Sequence, residues 1–277
     1  MNNSEILFLK RKSREIRRLT VDSIGKLGIG HLGGCLSVIE ALVVLYYKEL
    51  NIDPVHPDME GRDRFVLSKG HAGPALYLVL ADKGFFDVWL LDTLNRPETS
   101  LPSHCDMLRT KGIDMTAGSL GQGFSCAVGM AKGSKIKKDN AVIYTIVGDG
   151  ESQEGQIWEA AMFAAHHKLD NLIAFTDYNK LQIDGSVKEV MGLEPLDKKW
   201  EAFGWNAIVI SDGHDAAEIH QAVVKAKSSK GKPSMIILNT VKGKGVSFAE
   251  TAGATNHNMP VSEEQRIQAL KELEQEE

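Results

Sequence analysis

The second half of the sequence alternates apolar runs of strand length with segments of helical periodicity. Four runs are almost continuously apolar, as expected of strands that are covered on both faces: AVIYTIV (141–147), NLIAFTD (171–177), WNAIVIS (205–211) and PSMIILN (233–239). The segments between them repeat apolar residues at helical spacing: EGQIWEAAMFAAHH (154–167), EPLDKKWEAFG (194–204) and DAAEIHQAVVKAKSS (215–229). Strands and helices that alternate in this way build a parallel sheet with helices on both faces, so the sequence predicts an α/β fold.

The first half of the chain has a less regular pattern. Helical periodicity extends over residues 4–27 and returns in SVIEALVVLYYKEL (37–50), with the glycine-rich segment GIGHLGG (28–34) between the two helices. DRFVLSKGHAG (63–73) predicts a short strand that ends in a Gly-His turn, and a helix follows over residues 73–84.

Two further segments complete the predicted organisation. Residues 85–117 show little periodicity and predict an extended loop region, which in a compact domain is usually functional. The charged segment 262–277 predicts a terminal helix with a frayed end. No repeat or linker divides the chain, so we expect a single domain over residues 1–277.

Composition and charge narrow the class of protein. A net charge of -5 gives no general attraction to nucleic acid or to an anionic membrane, and we interpret the basic run at residues 10–18 as the solvated face of a helix rather than a nucleic-acid arm. Three cysteines without Cys-x-x-Cys spacing favour neither a disulfide framework nor a zinc site. Apolar runs are too short for a membrane span, and the first residues are unlike a signal peptide. We expect a soluble, cytoplasmic protein.

Polar residues follow two of the predicted strands at the point where each strand ends. Asp149 lies between two glycines after the run 141–147, and Asn179 follows the next run, 30 residues later, the length of one strand-helix-strand unit. Neighbouring parallel strands lie about 4.8 Å apart and open on the same edge, so one metal ion could contact both residues. A carboxylate, an amide oxygen and the nearby carbonyl of Leu181 are hard donors that suit Mg²⁺, with Ca²⁺ as the alternative ion. The flanking glycines would let a phosphate group approach the backbone closely.

Several segments together resemble a known family. GDGESQEG (148–155) and AFTDYNKLQIDG (174–185) resemble the thiamine diphosphate motif of transketolases. VDSIGKLGIGHLGGCLSVIEAL (21–42), DRFVLSKGHAGPALY (63–77) and TAGSLGQGFSCAVGMA (116–131) are similar to other transketolase segments and occur in the family's order. The resemblance extends over most of the chain and implies the diphosphate-binding (PP-type) fold with thiamine diphosphate and Mg²⁺ as cofactors.

The resemblance also implies roles for individual residues. The implied Mg²⁺ ligands are Asp149, Asn179 and the carbonyl of Leu181. The implied thiamine diphosphate contacts are His71, Gly118, Leu120, Gly150, Glu159, Asn179, Ile183 and His257. The implied catalytic residues are His31, His71, His104, His257 and Glu154, with His31 and His104 facing the sugar and Glu154 and Glu159 near the subunit interface. Imidazole suits these roles because its ordinary pKa lies near neutrality, where protons move on sugar hydroxyls.

The resemblance covers only the diphosphate-binding portion of a full-length transketolase. The pyrimidine and C-terminal domains are therefore expected on a partner chain, with self-association into an α2β2 assembly and small sugar phosphates as substrates. The segment His31-Leu32-Gly33 and Ser119 depart from the commonest transketolase spellings, which leaves the substrate open.

Other functions stay open at this point. The chain could be half of another thiamine diphosphate enzyme, such as a deoxyxylulose phosphate synthase or the E1 component of a 2-oxoacid dehydrogenase. It could also be a non-catalytic diphosphate sensor or a Mg²⁺-dependent phosphohydrolase. The histidines in glycine-rich and loop segments favour a ketose substrate over a simple oxoacid.

Overall fold

A computed structural model describes residues 1–275 of the protein, and its centre is a five-stranded parallel sheet. Numbered along the chain, the strands are β1 (Ile29–Gly30), β2 (Arg64–Leu67), β3 (Ile143–Gly148), β4 (Leu172–Tyr178), β5 (Leu181–Gln182), β6 (Gly185–Ser186), β7 (Asn206–Ile210), β8 (Ser234–Asn239) and β9 (Met259–Pro260). The sheet has the order β2-β3-β4-β8-β7. The predicted parallel sheet is therefore confirmed, and each of the apolar runs supplies one of its strands.

Helices cover both faces of this sheet. They are α1 (Asn3–Leu27), α2 (Leu32–Leu36), α3 (Ile39–Val44), α4 (Gly73–Asp82), α5 (Gln122–Lys137), α6 (Gly155–His166), α7 (Val187–Met191), α8 (Leu196–Ala202), α9 (Ala216–Ser228), α10 (Ser247–Thr251) and α11 (Glu263–Gln275). The helix predicted over residues 37–50 begins at Ile39 and continues beyond α3 as a π-helix, Leu45–Glu49.

Side chains alternate between the two faces of each strand and so contribute to two separate cores. Tyr144 and Ile146 of β3 pack into a core with α1, α3, α4 and α9. Ile143 and Val147 of the same strand pack into the other core with α5, α6 and α8. This alternation is why the strands are apolar at nearly every position.

Helix α1 matches its predicted span but corrects one expectation. Arg17, in the basic run that we expected to be solvated, is buried, and its Nη2 lies 2.5 Å from Glu40 Oε1 of α3. Its Nε also donates to the carbonyl of Lys244 at 3.0 Å. One arginine of the run therefore ties α1 to the interior because its guanidinium has a buried carboxylate as partner.

The strand register aligns the carboxyl ends of the sheet. Gly148 of β3 pairs with Asp177 of β4, and Asp177 pairs with Leu238 of β8. The residues that follow β2, β3, β4 and β8 therefore meet at one edge. β1 and β9 form a short antiparallel pair in which Gly30 lies opposite Met259. This pairing brings the segments that flank the two strands close together.

The predicted long loop is confirmed, although it contains a 3-10 helix at Val88–Thr93. The frayed end expected for the terminal helix lies outside the described residues, as do the last two positions of the predicted domain 1–277. Within residues 1–275, no helix has both the length and the apolar character needed to cross a membrane.

Candidate active site

The strand ends and the loops that follow them surround a cavity of about 360 Å³. All of the site residues predicted from sequence line it except Glu159: His31, His71, His104, Gly118, Leu120, Asp149, Gly150, Glu154, Asn179, Leu181, Ile183 and His257. A larger cavity of about 460 Å³ near the amino-terminal ends of β3 and β4 contains none of them. The fold thus brings together residues that are up to 226 positions apart, from His31 to His257.

Asp149 is held in the wall of this cavity by backbone groups. Its carboxylate accepts a hydrogen bond from the amide of Gly150 at 2.7 Å and another from the amide of Lys180. The residue is only 2% exposed. Burial, with the nearby carboxylate of Asp177, raises the pKa of Asp149 to about 7. A buried carboxylate with a raised pKa is stabilised in its ionised form by a neighbouring cation.

Asn179 and Leu181 supply two more oxygens beside Asp149. Asn179 Oδ1 accepts from the amide of Leu181 at 3.1 Å, and Asn179 Nδ2 donates to Asp177 Oδ2 at 2.9 Å. The carbonyl of Leu181 accepts from Lys242 Nζ at 3.3 Å. The hydrogen bond from Lys180 to Asp149 joins this loop to the Asp149 turn, so the two strand ends meet as the sequence predicts.

Four histidine rings form a compact group in the same cavity. The ring centroid of His31 lies 5.4 Å from those of His71, His104 and His257, and the centroids of His71 and His257 are 4.8 Å apart. Burial lowers the pKa of all four, to about 4 for His31 and about 3 for His257. At neutral pH these imidazoles are therefore uncharged and can both donate and accept hydrogen bonds.

Two buried lysines also line the cavity, and sequence reasoning missed both. Lys69 Nζ lies 2.6 Å from Asp177 Oδ2, and Lys242 Nζ lies 3.2 Å from His257 Nδ1. Burial, together with Lys69, lowers the pKa of Lys242 to about 8. Lys69 immediately precedes the Gly-His turn after β2, and Lys242 lies in a Lys-Gly segment after β8. Their positions just after strand ends were the available signal.

Comparison with known proteins identifies the family of this site. The model of the family "Transketolase, thiamine diphosphate binding domain" matches residues 9–274. The chain belongs to the transketolase family. The resemblance inferred from the sequence motifs is confirmed.

Two kinds of transketolase relative are similar to this chain. It is 60% identical to the 6-deoxy-6-sulfo-D-fructose transketolase subunit SqwG of Clostridium sp. (strain MSTE9), over 97% of each chain. It is 38% identical to an apulose-4-phosphate transketolase subunit of Phocaeicola vulgatus, over 97% of this chain and 95% of that protein. The structure of the Campylobacter jejuni transketolase matches with a TM-score of 0.90 at 33% identity, covering 99% of this chain and 43% of the other. The chain thus spans about two fifths of that solved transketolase's length.

The donor atoms of this transketolase-family cavity fit a diphosphate and a hard cation. One carboxylate, one amide oxygen and one carbonyl are oxygen donors, and Mg²⁺ takes its remaining ligands from phosphate and water. Among residues 1–275, no group of three or more His, Cys, Asp or Glu side chains could hold a metal. A mixed oxygen set of this kind suits a hard cation rather than a soft one.

A further carboxylate, Glu151, holds the cavity wall together. Glu151 Oε1 accepts from Ser68 Oγ at 2.5 Å and from the amide of Gly121 at 2.8 Å, and Oε2 accepts from the amide of Gly148 at 2.9 Å. Because burial raises the pKa of this carboxyl group, its ionised form depends on these donors. Glu151 fixes the loop that begins α5, where Leu120 faces the cavity.

The two acidic residues expected near a subunit interface have different surroundings. Glu154 lines the cavity, whereas Glu159 is exposed on α6 and is not among the cavity residues. Met162 and Phe163, on the same helix, are 54% and 45% exposed. The interface and cofactor roles of Glu154 and Glu159 stay predictions.

Proposed function

We propose that this chain is the diphosphate-binding subunit of a thiamine diphosphate- and Mg²⁺-dependent transketolase that transfers a two-carbon ketol unit between sugars that carry an anionic group, sulfonated or phosphorylated. The observation that carries the proposal is the single cavity in which Asp149, Asn179 and Leu181 lie beside two lysines and four histidines. Membership of the transketolase family supports the same function.

The oxygen donors of the cavity would bind the metal ion, and its basic side chains would bind the diphosphate. Asp149, Asn179 and the carbonyl of Leu181 would hold Mg²⁺, for which Ca²⁺ could substitute. His71, His257 and Lys242 would face the diphosphate, and the backbone of Gly150 would adjoin it. The remaining predicted cofactor contacts are Gly118, Leu120, Glu159 and Ile183. Thiamine diphosphate, when bound, supplies the carbanion chemistry of the transfer.

The chain's own histidines would handle the sugar. Neutral imidazoles at His31 and His104 can accept a hydroxyl proton and return it, which a permanently charged side chain cannot do. Their lowered pKa values keep them in this neutral form across the physiological range. Ordered rings within 5.4 Å of each other would hold the hydroxyls of a ketose in one orientation.

The name of one relative indicates which class of sugar to expect as substrate. The 60% identical protein is named for 6-deoxy-6-sulfo-D-fructose, a ketose with a sulfonate in place of a phosphate. We therefore expect a sulfonated ketose as the donor, with phosphorylated ketoses as the alternative. The buried lysines of this chain are engaged near the proposed metal site, so the anionic end of the sugar would be bound by the partner chain.

A partner chain with the pyrimidine domain would complete the active site. Relatives of the same length are named as subunits, which supports a second polypeptide. Leu120 and Ile183, which line the cavity, are 36% and 66% exposed, as expected of residues that a cofactor ring and a partner would cover. An α2β2 assembly in the cytoplasm is the arrangement we propose.

Reconstitution tests this function. The chain is purified alone and together with a candidate partner chain that carries the pyrimidine domain, and 6-deoxy-6-sulfo-D-fructose or fructose 6-phosphate is supplied with an aldose phosphate acceptor. We expect the two-carbon-shortened product, detected by mass spectrometry, only when both chains, Mg²⁺ and thiamine diphosphate are present. Equal turnover by the chain alone would contradict the split active site. No turnover of either donor by the complex would contradict the proposed reaction.

A further inference from the structure

Asp177, which contacts the proposed metal ligand Asn179, accepts hydrogen bonds from several segments of the chain. It is the penultimate residue of β4 and is completely buried. Its Oδ2 accepts from Lys69 Nζ at 2.6 Å, from Ser37 Oγ at 2.6 Å and from Asn179 Nδ2 at 2.9 Å, while Oδ1 accepts from Thr240 Oγ1. Nothing in the proposed function uses this carboxylate directly.

The contact with Asn179 decides which end of that amide is available to a cation. The two ends of an asparagine amide have nearly the same shape, but only the oxygen can bind a metal. An ionised carboxylate accepts hydrogen bonds and donates none, so Asp177 can pair only with the NH₂ end of Asn179. The amide of Leu181, which donates to Asn179 Oδ1, favours the same orientation. Together they fix the orientation of the amide, with Nδ2 toward Asp177 and Oδ1 toward the Leu181 backbone.

Lys69 makes this arrangement compatible with burial. Lys69 Nζ lies 2.6 Å from Asp177 Oδ2, so its ammonium group balances the charge of the buried carboxylate. Lys69 Nζ also donates to the carbonyl of Gly34 at 3.0 Å, so the lysine is itself fixed. Buried ion pairs contribute little to stability compared with apolar residues of similar size, which favours a role other than stability for this one.

We propose that Asp177 is a positioning residue: its hydrogen bond from Asn179 Nδ2 turns Asn179 Oδ1 toward the divalent cation, and Lys69 balances its charge. This inference rests on the proposed function, since it assumes that a divalent cation binds beside Asp149. The proposal gives Asp177 a role in metal binding without direct contact to the metal, because Asp177 acts by orienting the side chain of Asn179.

Two double variants of the full chain test the proposal. Both remove the buried ion pair through K69M, and they differ only at position 177: K69M/D177N keeps an oxygen that can accept from Asn179 Nδ2, whereas K69M/D177V does not. Mn²⁺ serves as the probe, with thiamine diphosphate present, and its binding is followed by electron paramagnetic resonance. We expect Mn²⁺ to bind at least tenfold more weakly to K69M/D177V than to K69M/D177N. Equal affinities would overturn the proposal.

A single variant that keeps the ion pair provides a second test. N179D replaces an amide ligand with a carboxylate, which by ligand charge alone should strengthen metal binding. If Asp177 faces the NH₂ end of Asn179, the two carboxylates repel each other, and we expect N179D to bind Mn²⁺ at least fivefold more weakly than the wild type at pH 7. Binding as tight as the wild type's would contradict the inference. Failure of the wild-type chain to bind Mn²⁺ with thiamine diphosphate, both alone and with the partner chain, would instead contradict the proposed function.

Discussion

Replacement of Asp149 by asparagine should stabilise the metal-free protein while abolishing its affinity for the metal. The rise in the pKa of Asp149 from 3.8 to about 7 means that ionising this carboxylate costs the folded chain about 4 kcal/mol at pH 8. Asn removes that cost, but its NH₂ group would face one of the two backbone amides that donate to Asp149, a loss of about 1–3 kcal/mol. The net gain is about 2 kcal/mol, or about 4–8 °C in Tm for a chain of this size.

The pH dependence gives this prediction a second signature. Because the folded-state pKa is raised, the folded chain holds the Asp149 proton more tightly, so the contribution of Asp149 to wild-type stability falls as pH rises from about 4 to about 7. At pH 5.5 ionising Asp149 costs the folded chain about 2 kcal/mol, which is similar to the stability that D149N loses at the backbone amide. The gain in stability of D149N over the wild type should therefore disappear at this pH.

Thermal unfolding in a chelator, followed by circular dichroism at pH 8 and pH 5.5, measures both effects. Addition of Mg²⁺ and thiamine diphosphate should then raise the Tm of the wild type and leave that of D149N unchanged. A D149N chain that is no more stable than the wild type at pH 8 in chelator would refute the reasoning.

Three further predictions follow from other contacts. E40Q removes the charged partner of buried Arg17 and should lower the free energy of unfolding in urea by about 3 kcal/mol. The control E274Q, in the exposed pair with Arg18, should lower it by less than about 0.5 kcal/mol. Equal losses in the two variants would contradict this prediction. H31N should lower kcat/KM of the reconstituted enzyme about 100-fold by removing a proton-transfer group, with thiamine diphosphate affinity unchanged by calorimetry; a large loss of cofactor affinity would place His31 elsewhere. Because the pKa values of His31 and His257 are lowered, the unfolded chain takes up protons first, so the contribution of these two histidines to stability should be complete above about pH 6.5 and decline toward pH 4. H257N should decline less steeply than the wild type, and an identical decline would contradict the burial of His257.

The sheet and the pair Asp149 and Asn179 could be predicted because both depend on local pattern. Continuous apolar runs of strand length identify β3 and β4, and one intervening helix makes them parallel neighbours. The part played by Lys242 could not be predicted in the same way. It reaches the site because β8 inserts next to β4, between β4 and β7, and strand order in a sheet is not encoded in the periodicity of any one segment.

Buried charges were the other feature that pattern alone did not reveal. Arg17 lies in a basic run whose members Lys10, Arg11 and Arg18 are exposed, and its burial depends on Glu40, which is distant in sequence. Asp177 ends an apolar run, yet its role depends on Lys69, Ser37 and Thr240 from three other segments. Such networks form only when the tertiary fold assembles the partners.

Titration calorimetry of thiamine diphosphate into the purified chain tests the central claim most directly. The titration is run in Mg²⁺ and in a chelator, with wild type and D149N. We expect the wild type to bind thiamine diphosphate measurably in Mg²⁺ and at least tenfold more weakly in chelator, with D149N weak in both. Binding of equal strength with and without Mg²⁺, or tight binding by D149N, would contradict a metal-held diphosphate at this edge of the sheet.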